Sequence, residues 1–505
     1  MANWALLKSI FFGQGPPLAV TYSDAEELLP ASLTMGTLFI GRQGSGKSSS
    51  LAGHLVGHFD AHPDEAIFVL DWSGDLSNKV LTQFAQRPLE QRDLAMRRIV
   101  YDEPGHPEYV LPKPELSLAY GGTYEDEIDR VKNNLNGLYH NASQEAVIMA
   151  GIAINKTLPE IYRVLASIQN QHGESWQVTE AERLIDSFGE LKAALLNPNL
   201  PAPTKSYLQQ LANARPDERS KRTYILHELF GWIRTPYMRA RLGYYAPAWT
   251  PKEAIAKGQM VIVNGTRLIN NPTARDYVFT QDWSLIKAEL NRRMPADPNV
   301  KPVSVVLDET RNLFDIPAFA NEIGDISPVY RSRKVQLYVV IQALSQLDKV
   351  LQEKIWLLGN IVTFGMENKK DCEAMAYQLA KYFPQQEKLP SLQPNANPIT
   401  EAENGQDRER ADWIWSLDER QCLVKRFLTE SKRDPRLRYV PRTKDLPHGP
   451  LEISLEEFKE GLLKARGVKV RDALEVVDHR TLQKDKVDRT QPPLLDRLHT
   501  DNSSG

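Results

Sequence analysis

The string Gly41-Arg42-Gln43-Gly44-Ser45-Gly46-Lys47-Ser48 constrains the chain more than any other feature. It has the form GxxxxGK[ST], follows the apolar run Thr37-Leu38-Phe39-Ile40, and precedes a helical pattern from Ser49 to Phe59. A strand, a glycine-rich turn and a helix in that order make a loop whose backbone N–H groups point inward, at the positive end of a helix. Such a loop wraps the phosphates of a nucleotide; the alternative is a glycine-rich turn that binds none. Gly41, Gln43, Gly44, Ser45, Gly46, Lys47, Ser48 and Ser49 are the candidate binding residues, with Lys47 for the β- and γ-oxygens and Ser48 for Mg²⁺.

The remaining strand candidates fit the same architecture. Ala66-Ile67-Phe68-Val69-Leu70, Met260-Val261-Ile262-Val263, Val303-Ser304-Val305-Val306-Leu307 and Val335-Gln336-Leu337-Tyr338-Val339-Val340-Ile341 are short, β-branched and without strict alternation. Runs of this kind read as strands buried on both faces of a parallel sheet, and helical patterns lie between most of them. The expected fold class is α/β, with a mainly parallel sheet around the P-loop.

One stretch breaks the alternation. From about residue 125 to 241 there is almost no strand signal, whereas 142–154, 158–168, 181–196 and 207–214 read as helix. The expected organisation is a first part of the ATPase core (1–120), an all-helical insertion (121–250), a second part of the core (251–450), and a C-terminal helix with a polar tail (451–505). Within the second part, 384–406 is rich in Pro, Asn and Gln and reads as an exposed loop. The tail carries an amphipathic helix at 455–465.

A P-loop alone leaves kinases, switches, transporters and motors open. The run Val303-Ser304-Val305-Val306-Leu307-Asp308-Glu309 narrows the choice. Asp308, at the carboxyl end of a buried strand, is placed to hold Mg²⁺, and Glu309 to deprotonate an attacking water, which a hydrolase needs and a kinase does not. The alternative is an Asp-Glu pair that caps the next helix. Gln342 follows the run 335–341, so its amide sits at the carboxyl edge of a strand, where ligands of open α/β sheets bind. It either senses a γ-phosphate or faces solvent.

Composition excludes other classes. The 505 residues carry 62 Lys+Arg and 65 Asp+Glu, a net charge of −3, so no uniformly basic surface advertises a polyanion. Cys372 and Cys422 lack CxxC or Cys/His spacing, which leaves neither a disulfide framework nor a zinc ribbon. The longest uncharged stretch near the start, 9–23, contains Gly13, Gly15, Pro16 and Pro17 and falls short of the ~18 to 20 apolar residues of a membrane span. Trp4 to Phe12 lacks the pattern of a signal peptide.

The P-loop, the segment Phe68-Val69-Leu70-Asp71-Trp72-Ser73-Gly74-Asp75-Leu76, the pair Asp308-Glu309 and the run Arg331 to Leu347 together resemble the FtsK/HerA superfamily of ring-forming DNA-pumping ATPases. Within it the likeness is greatest to the TraG/TraD-like coupling proteins of conjugative type IV secretion. It covers most of 37–120 and 259–380. The resemblance implies a RecA-like P-loop NTPase core interrupted by an all-helical domain, ATP and Mg²⁺ as ligands, Ser48 and Asp308 as metal ligands, and Glu309, Lys47 and Gln342 as catalytic residues. It further implies Arg333, with Arg331 second, as an arginine finger that reaches a neighbouring subunit's nucleotide in a homo-hexamer. DNA bound without sequence preference would be the cargo, and a membrane-anchored secretion partner would recruit a chain that is cytoplasmic or peripheral at the inner membrane face. Two departures stand out: Asp71-Trp72-Ser73-Gly74-Asp75-Leu76 replaces the family's Asp-Pro-Lys-Gly-Asp-Leu, and the family's transmembrane helices are not seen.

A DNA motor needs a basic lining on only part of each subunit. Between Lys425 and Lys444 eight basic residues face two acidic ones, and 237–241 and 218–222 are weaker clusters. The competing expectations are a secretion or viral packaging ATPase that moves protein or a viral genome, and an ATP-dependent interaction module with little turnover.

Overall fold

The computed structural model describes residues 36–138, 150–168, 176–186, 194–218, 230–294, 299–309, 330–379, 410–426, 437–443 and 452–478, apart from 152, 196, 199, 216, 331 and 441, together with 313, 319 and 408. The loop expected at 384–406 and the polar tail lie outside the described residues.

The core is one nine-stranded sheet. In chain order its strands are β1 (Thr37–Ile40), β2 (Ala66–Asp71), β3 (Ile99–Asp102), β5 (Met260–Asn264), β6 (Val303–Asp308), β7 (Val335–Ile341), β8 (Asn360–Phe364), β9 (Cys422–Lys425) and β10 (Leu437–Val440). In space they run β10-β9-β8-β1-β7-β6-β2-β5-β3. Every pair from β8 to β3 is parallel, and only β9 and β10, at one edge, are antiparallel. All five runs expected as strands are strands, buried at every position along their length. That is why their sequences do not alternate: helices cover both faces.

The helix Lys47–Ala61 shows how one face is covered. Its buried positions Lys47, Ser50, Leu51, His54, Leu55, His58 and Phe59 recur at three- and four-residue spacing. His54 Nε2 lies 3.0 Å from the Tyr338 hydroxyl of β7, which fixes the helix against the strand beside β1.

Between residues 124 and 243 the described residues form helices and no strand: Tyr124–Leu138, Leu158–Ser167, Val178–Asp186, Ala202–Asn213 and Pro236–Gly243. Residues 142–149, part of a stretch expected as helix, lie outside the described residues. The C-terminal helix Leu455–Arg466 begins with a capping box, in which Ser454 and Glu457 each bond the other's backbone N–H. After it, β11 (Val468–Lys469) pairs antiparallel with β4 (Tyr109–Val110). The C-terminal segment is thereby stitched to the core.

The joint between the helical region and the sheet is a buried charge cluster. Arg241, from the helix Pro236–Gly243, is fully buried and pairs with Asp102 at the end of β3 (2.9 Å) and Asp282 of the helix Pro272–Arg292 (3.4 Å). Lys113 also pairs with Asp282, and its ammonium sits 3.4 Å from the centre of the Trp249 ring. Two cations thus balance two carboxylates. Burial, aided by the neighbouring Arg241 charge, drives the Lys113 ammonium down to about 8 despite the attraction of Asp282 and Asp102. Arg241 is accordingly a structural cation, and the expectation that 237–241 offers a basic surface is corrected on this point.

Breaking such a cluster leaves an uncompensated buried charge. Arg241→Met is expected to lower unfolding free energy by about 3–5 kcal/mol in denaturant titration. Glu253→Gln, which removes the exposed Lys257–Glu253 pair, is expected to change it by less than about 0.5 kcal/mol.

Candidate functional site

Because β1, β7, β6 and β2 are parallel neighbours, the residues that follow them gather along one edge. The P-loop leaves β1, Gln342 leaves β7, and Asp308-Glu309 ends β6 next to Asp71 at the end of β2. This is the edge where open α/β sheets bind ligands. The sequence-derived candidates Lys47, Asp308, Glu309 and Gln342 are all brought to it.

In the P-loop, Gly46 precedes the helix Lys47–Ala61 with φ of 99°, a left-handed turn that favours glycine. Gln43 and Gly44 are exposed, Ser48 and Ser49 half-buried, and Ser45 buried. The Ser45 hydroxyl has no hydrogen-bond partner among the described residues. Lys47 is buried and donates to the carbonyls of Gly41 (2.5 Å) and Arg42 (2.8 Å) of its own loop. Burial lowers its ammonium to about 8, against the opposing pull of Glu309 and Asp308. A buried cation and an orphaned hydroxyl in a glycine-rich turn before a helix suit a polyanion such as a nucleoside triphosphate.

Asp308 is buried, and its carboxyl is pushed well above the usual carboxylate range, first by burial and then by the neighbouring charges of Asp71 and Glu309. A hard divalent cation is a counter-charge that would suit such a group, and the half-buried Ser48 hydroxyl of the P-loop is an oxygen donor of the right kind. Glu309 adopts φ of 52°, a strained conformation for a residue with a side chain. Its carboxylate oxygens both accept from the Gln342 amide, at 3.0 and 3.2 Å. Glu309 and Gln342 thus meet each other, because the adjacent strands β6 and β7 place one on the other.

Asp71 is the residue that the sequence reading left out. It lies in register with Asp308 across β2 and β6. Its carboxylate accepts from the backbone N–H groups of Ser73 (3.1 Å), Gly74 (2.8 Å) and Ser77 (2.6 Å), starting the helix Asp75–Ala85. Gly74, with φ of 82°, permits this turn, and a Cβ there would fall 2.1 Å from the Thr266 hydroxyl. Burial raises the Asp71 carboxyl. The signal was in the sequence: an acid at a strand end followed by Ser-Gly-Asp-Leu and a helical pattern.

The other side of the P-loop is walled by the segments next to β8 and β9. Arg42 N–H donates to Gly365 O (2.8 Å), and its guanidinium to Leu417 O (3.3 Å). Arg420, with φ of 66°, donates its N–H to Ser45 O (2.9 Å).

Arg333 stands apart. It precedes β7 and donates to the Asn291 side chain at 2.5 Å. A seven-residue strand separates it from the P-loop edge, about 23 Å at ~3.3 Å per residue. It cannot reach its own chain's P-loop, and Arg331 lies outside the described residues. Of the basic cluster 425–444, Lys425 and Arg426 are buried. Lys432, Arg433, Arg436 and Lys444 lie outside the described residues, as do Arg219, Lys221 and Arg222. Among the described residues no helix is long and apolar enough to cross a membrane, and no group of three or more His, Cys, Asp or Glu is arranged to hold a metal ion.

Residues 302–410 match the family described as the TraM recognition site of TraD and TraG. No curated protein matches the chain. Solved structures of a conjugative coupling protein share its fold. The unbound form of the bacterial conjugative coupling protein TrwBdeltaN70 is 12% identical with a TM-score of 0.52, covering 87% of this chain and 92% of that one. The plasmid coupling protein TrwB in complex with the non-hydrolysable ATP analogue ADPNP is 13% identical with a TM-score of 0.52, and its complex with the GTP analogue GDPNP 13% identical at 0.51, each with the same coverage. The fold is that of a RecA-like P-loop core.

The lowered Lys47 predicts proton linkage. Bound phosphates stabilise its charged form, so binding draws a proton where free Lys47 has begun to lose one, above about pH 8. Titration calorimetry with ADP in two buffers of different ionisation enthalpy, without divalent metal, is expected to show net proton uptake at pH 8–9 and little at pH 6.5. Lys47→Arg, charged throughout, is expected to lose that uptake.

Proposed function

We infer, from a chain related to the TraG/TraD-like coupling proteins, that it is an ATP-hydrolysing motor that translocates DNA. The observation that carries the reading is the meeting of Lys47, Asp308 and the Glu309–Gln342 pair at the P-loop edge. A nucleotide-binding module without turnover has no use for a buried acid beside a strained, amide-held carboxylate.

In this reading the backbone N–H groups of 41–49 wrap the phosphates, and Lys47 leaves the Gly41 and Arg42 carbonyls for the β- and γ-oxygens. Ser48 and Asp308 hold Mg²⁺, which when bound neutralises phosphate charge. Glu309 takes the proton of the water that attacks the γ-phosphorus, as the bond to ADP breaks. Gln342 holds Glu309 in line, and its amide lies where a γ-phosphate would compete for it. Asp71 fixes the β2 turn and, by its charge, keeps Asp308 in need of a cation.

The division of labour follows. Residues 1–120 and 251–450 form the motor core, 121–250 a helical insertion, and 451–505 a tail. A closed hexamer would give Arg333, which lies at the wrong edge of the sheet for its own site, a neighbouring subunit's site to serve. The DNA would be held through phosphates, with affinity falling steeply in salt.

Glu309→Gln is expected to bind ATP as the wild type does while hydrolysis falls by about 10²–10⁴-fold. Normal turnover by this variant would remove Glu309 from the chemistry. Lys47→Ala is expected to weaken nucleotide binding. Arg333→Ala and Lys47→Ala subunits, each inactive alone, are expected to regain ATPase activity when mixed, because one subunit supplies the finger and the other an intact P-loop. No recovery would count against a finger acting across subunits.

A further inference from the structure

We propose that Arg420 is a nucleotide-contacting residue whose guanidinium grips the α-phosphate end of the bound nucleotide. The proposal rests on the reading of the P-loop as an ATP site and adds a residue that the P-loop and acidic motifs do not include.

Arg420 lies in the turn just before β9, and its backbone is held on both sides: its N–H donates to Ser45 O of the P-loop, and its carbonyl accepts from Thr443 N–H at 2.8 Å. Its φ of 66° is a conformation that glycine adopts freely and that a residue with a side chain adopts at a cost. A backbone brace alone would be better served by glycine. The side chain runs over the loop: its Cγ lies 3.0 Å, and its Cα 3.4 Å, from where a Cβ on Gly46 would sit. Gly46 thus leaves room for this arginine. Its Nε is 3.9 Å from the exposed carboxylate of Glu419.

The sheet order says which end of the nucleotide Arg420 meets. Asp308, Glu309 and Gln342 mark the γ-phosphate end, on the β6 and β7 side of β1. Arg420 comes from the opposite flank, where β8 and β9 lie. A phosphate chain along the loop from the acids outward therefore brings its α-phosphate to the β8–β9 side. The guanidinium fork matches phosphate oxygens in pairs, which a lysine ammonium does not.

The test compares Arg420→Gly and Arg420→Lys in the full chain, through the affinity for ADP, the KM for ATP and kcat at saturating ATP. Glycine keeps the N–H bond to Ser45 and relieves the left-handed strain, so the nucleotide-free variant is expected to melt at or above the wild-type temperature. Its ADP dissociation constant and ATP KM are expected to rise about ten- to a hundredfold, as for loss of charged hydrogen bonds, with kcat within about twofold. Lysine is expected to fall between. A role in bracing the loop alone inverts the ranking: glycine then binds at least as tightly as arginine, and lysine more weakly, and that result overturns the proposal. A fall in kcat at unchanged affinity overturns it as well. If the glycine variant unfolds, the lysine variant decides, and wild-type affinity there overturns the proposal. Failure of the underlying reading looks different: wild-type protein then binds no nucleotide and Lys47→Ala changes nothing, whereas a sound site with an idle Arg420 still loses binding in Lys47→Ala.

Discussion

Lys47 is held between two sets of oxygens, and the edge of the sheet is organised around that position. On one side are the carbonyls of its own loop, and on the other the acids that end β6. Burying an ammonium is costly unless it is both hydrogen-bonded and faced by negative charge. The loop supplies the first and Asp308 and Glu309 the second, so the P-loop keeps its shape without a ligand. The same arrangement leaves the acids poorly compensated, since a single lysine faces several carboxylates.

That imbalance is concentrated by strand order. β6 lies between β7 and β2, so Asp308 has Asp71 on one side and the Gln342-bearing end of β7 on the other. Two buried acids side by side cannot both ionise at ordinary cost. Asp71 takes its stabilisation from three backbone N–H groups, leaving Asp308 as the group in want of a cation. By contrast, the charges at the joint with the helical region are closed: Arg241 and Lys113 against Asp102 and Asp282. One cluster is complete without a ligand and reads as architecture, whereas the other is incomplete and reads as a site.

Much of this was legible in the sequence, because the features that carry it are local. Apolar β-branched runs marked five strands, the P-loop declared itself by spacing, and Asp308, Glu309 and Gln342 stood at strand ends. What was not legible depended on which strands are neighbours. That Gln342 bonds Glu309 follows from the pairing of β6 with β7, and that Asp71 faces Asp308 from the pairing of β6 with β2. Neither pairing is written in a single chain read from end to end. The strands β3, β8, β9 and β10 were missed because charged or polar residues lie within or beside each, as in Arg97-Arg98 before Ile99 and Lys425 in β9. Arg241 was misread because a cation in a basic run looks exposed until its two carboxylate partners, distant in the chain, fold against it. Arg420 gave no signal: one arginine in a polar turn becomes notable only through its φ and its place over Gly46.

The net charge of −3 fits the proposed motor only if basic surface is confined to part of each subunit. Several of the candidate cations are now accounted for in the interior: Arg241 in an ion cluster, Lys425 and Arg426 buried in and beside β9. A DNA contact must therefore come from other positions. The most direct measurement is steady-state phosphate release from ATP with Mg²⁺ as double-stranded DNA is titrated in, at low and at high salt. The account predicts hydrolysis that rises with DNA and a stimulation that weakens as salt increases. An absence of hydrolysis, or turnover indifferent to any nucleic acid at low salt, would contradict it.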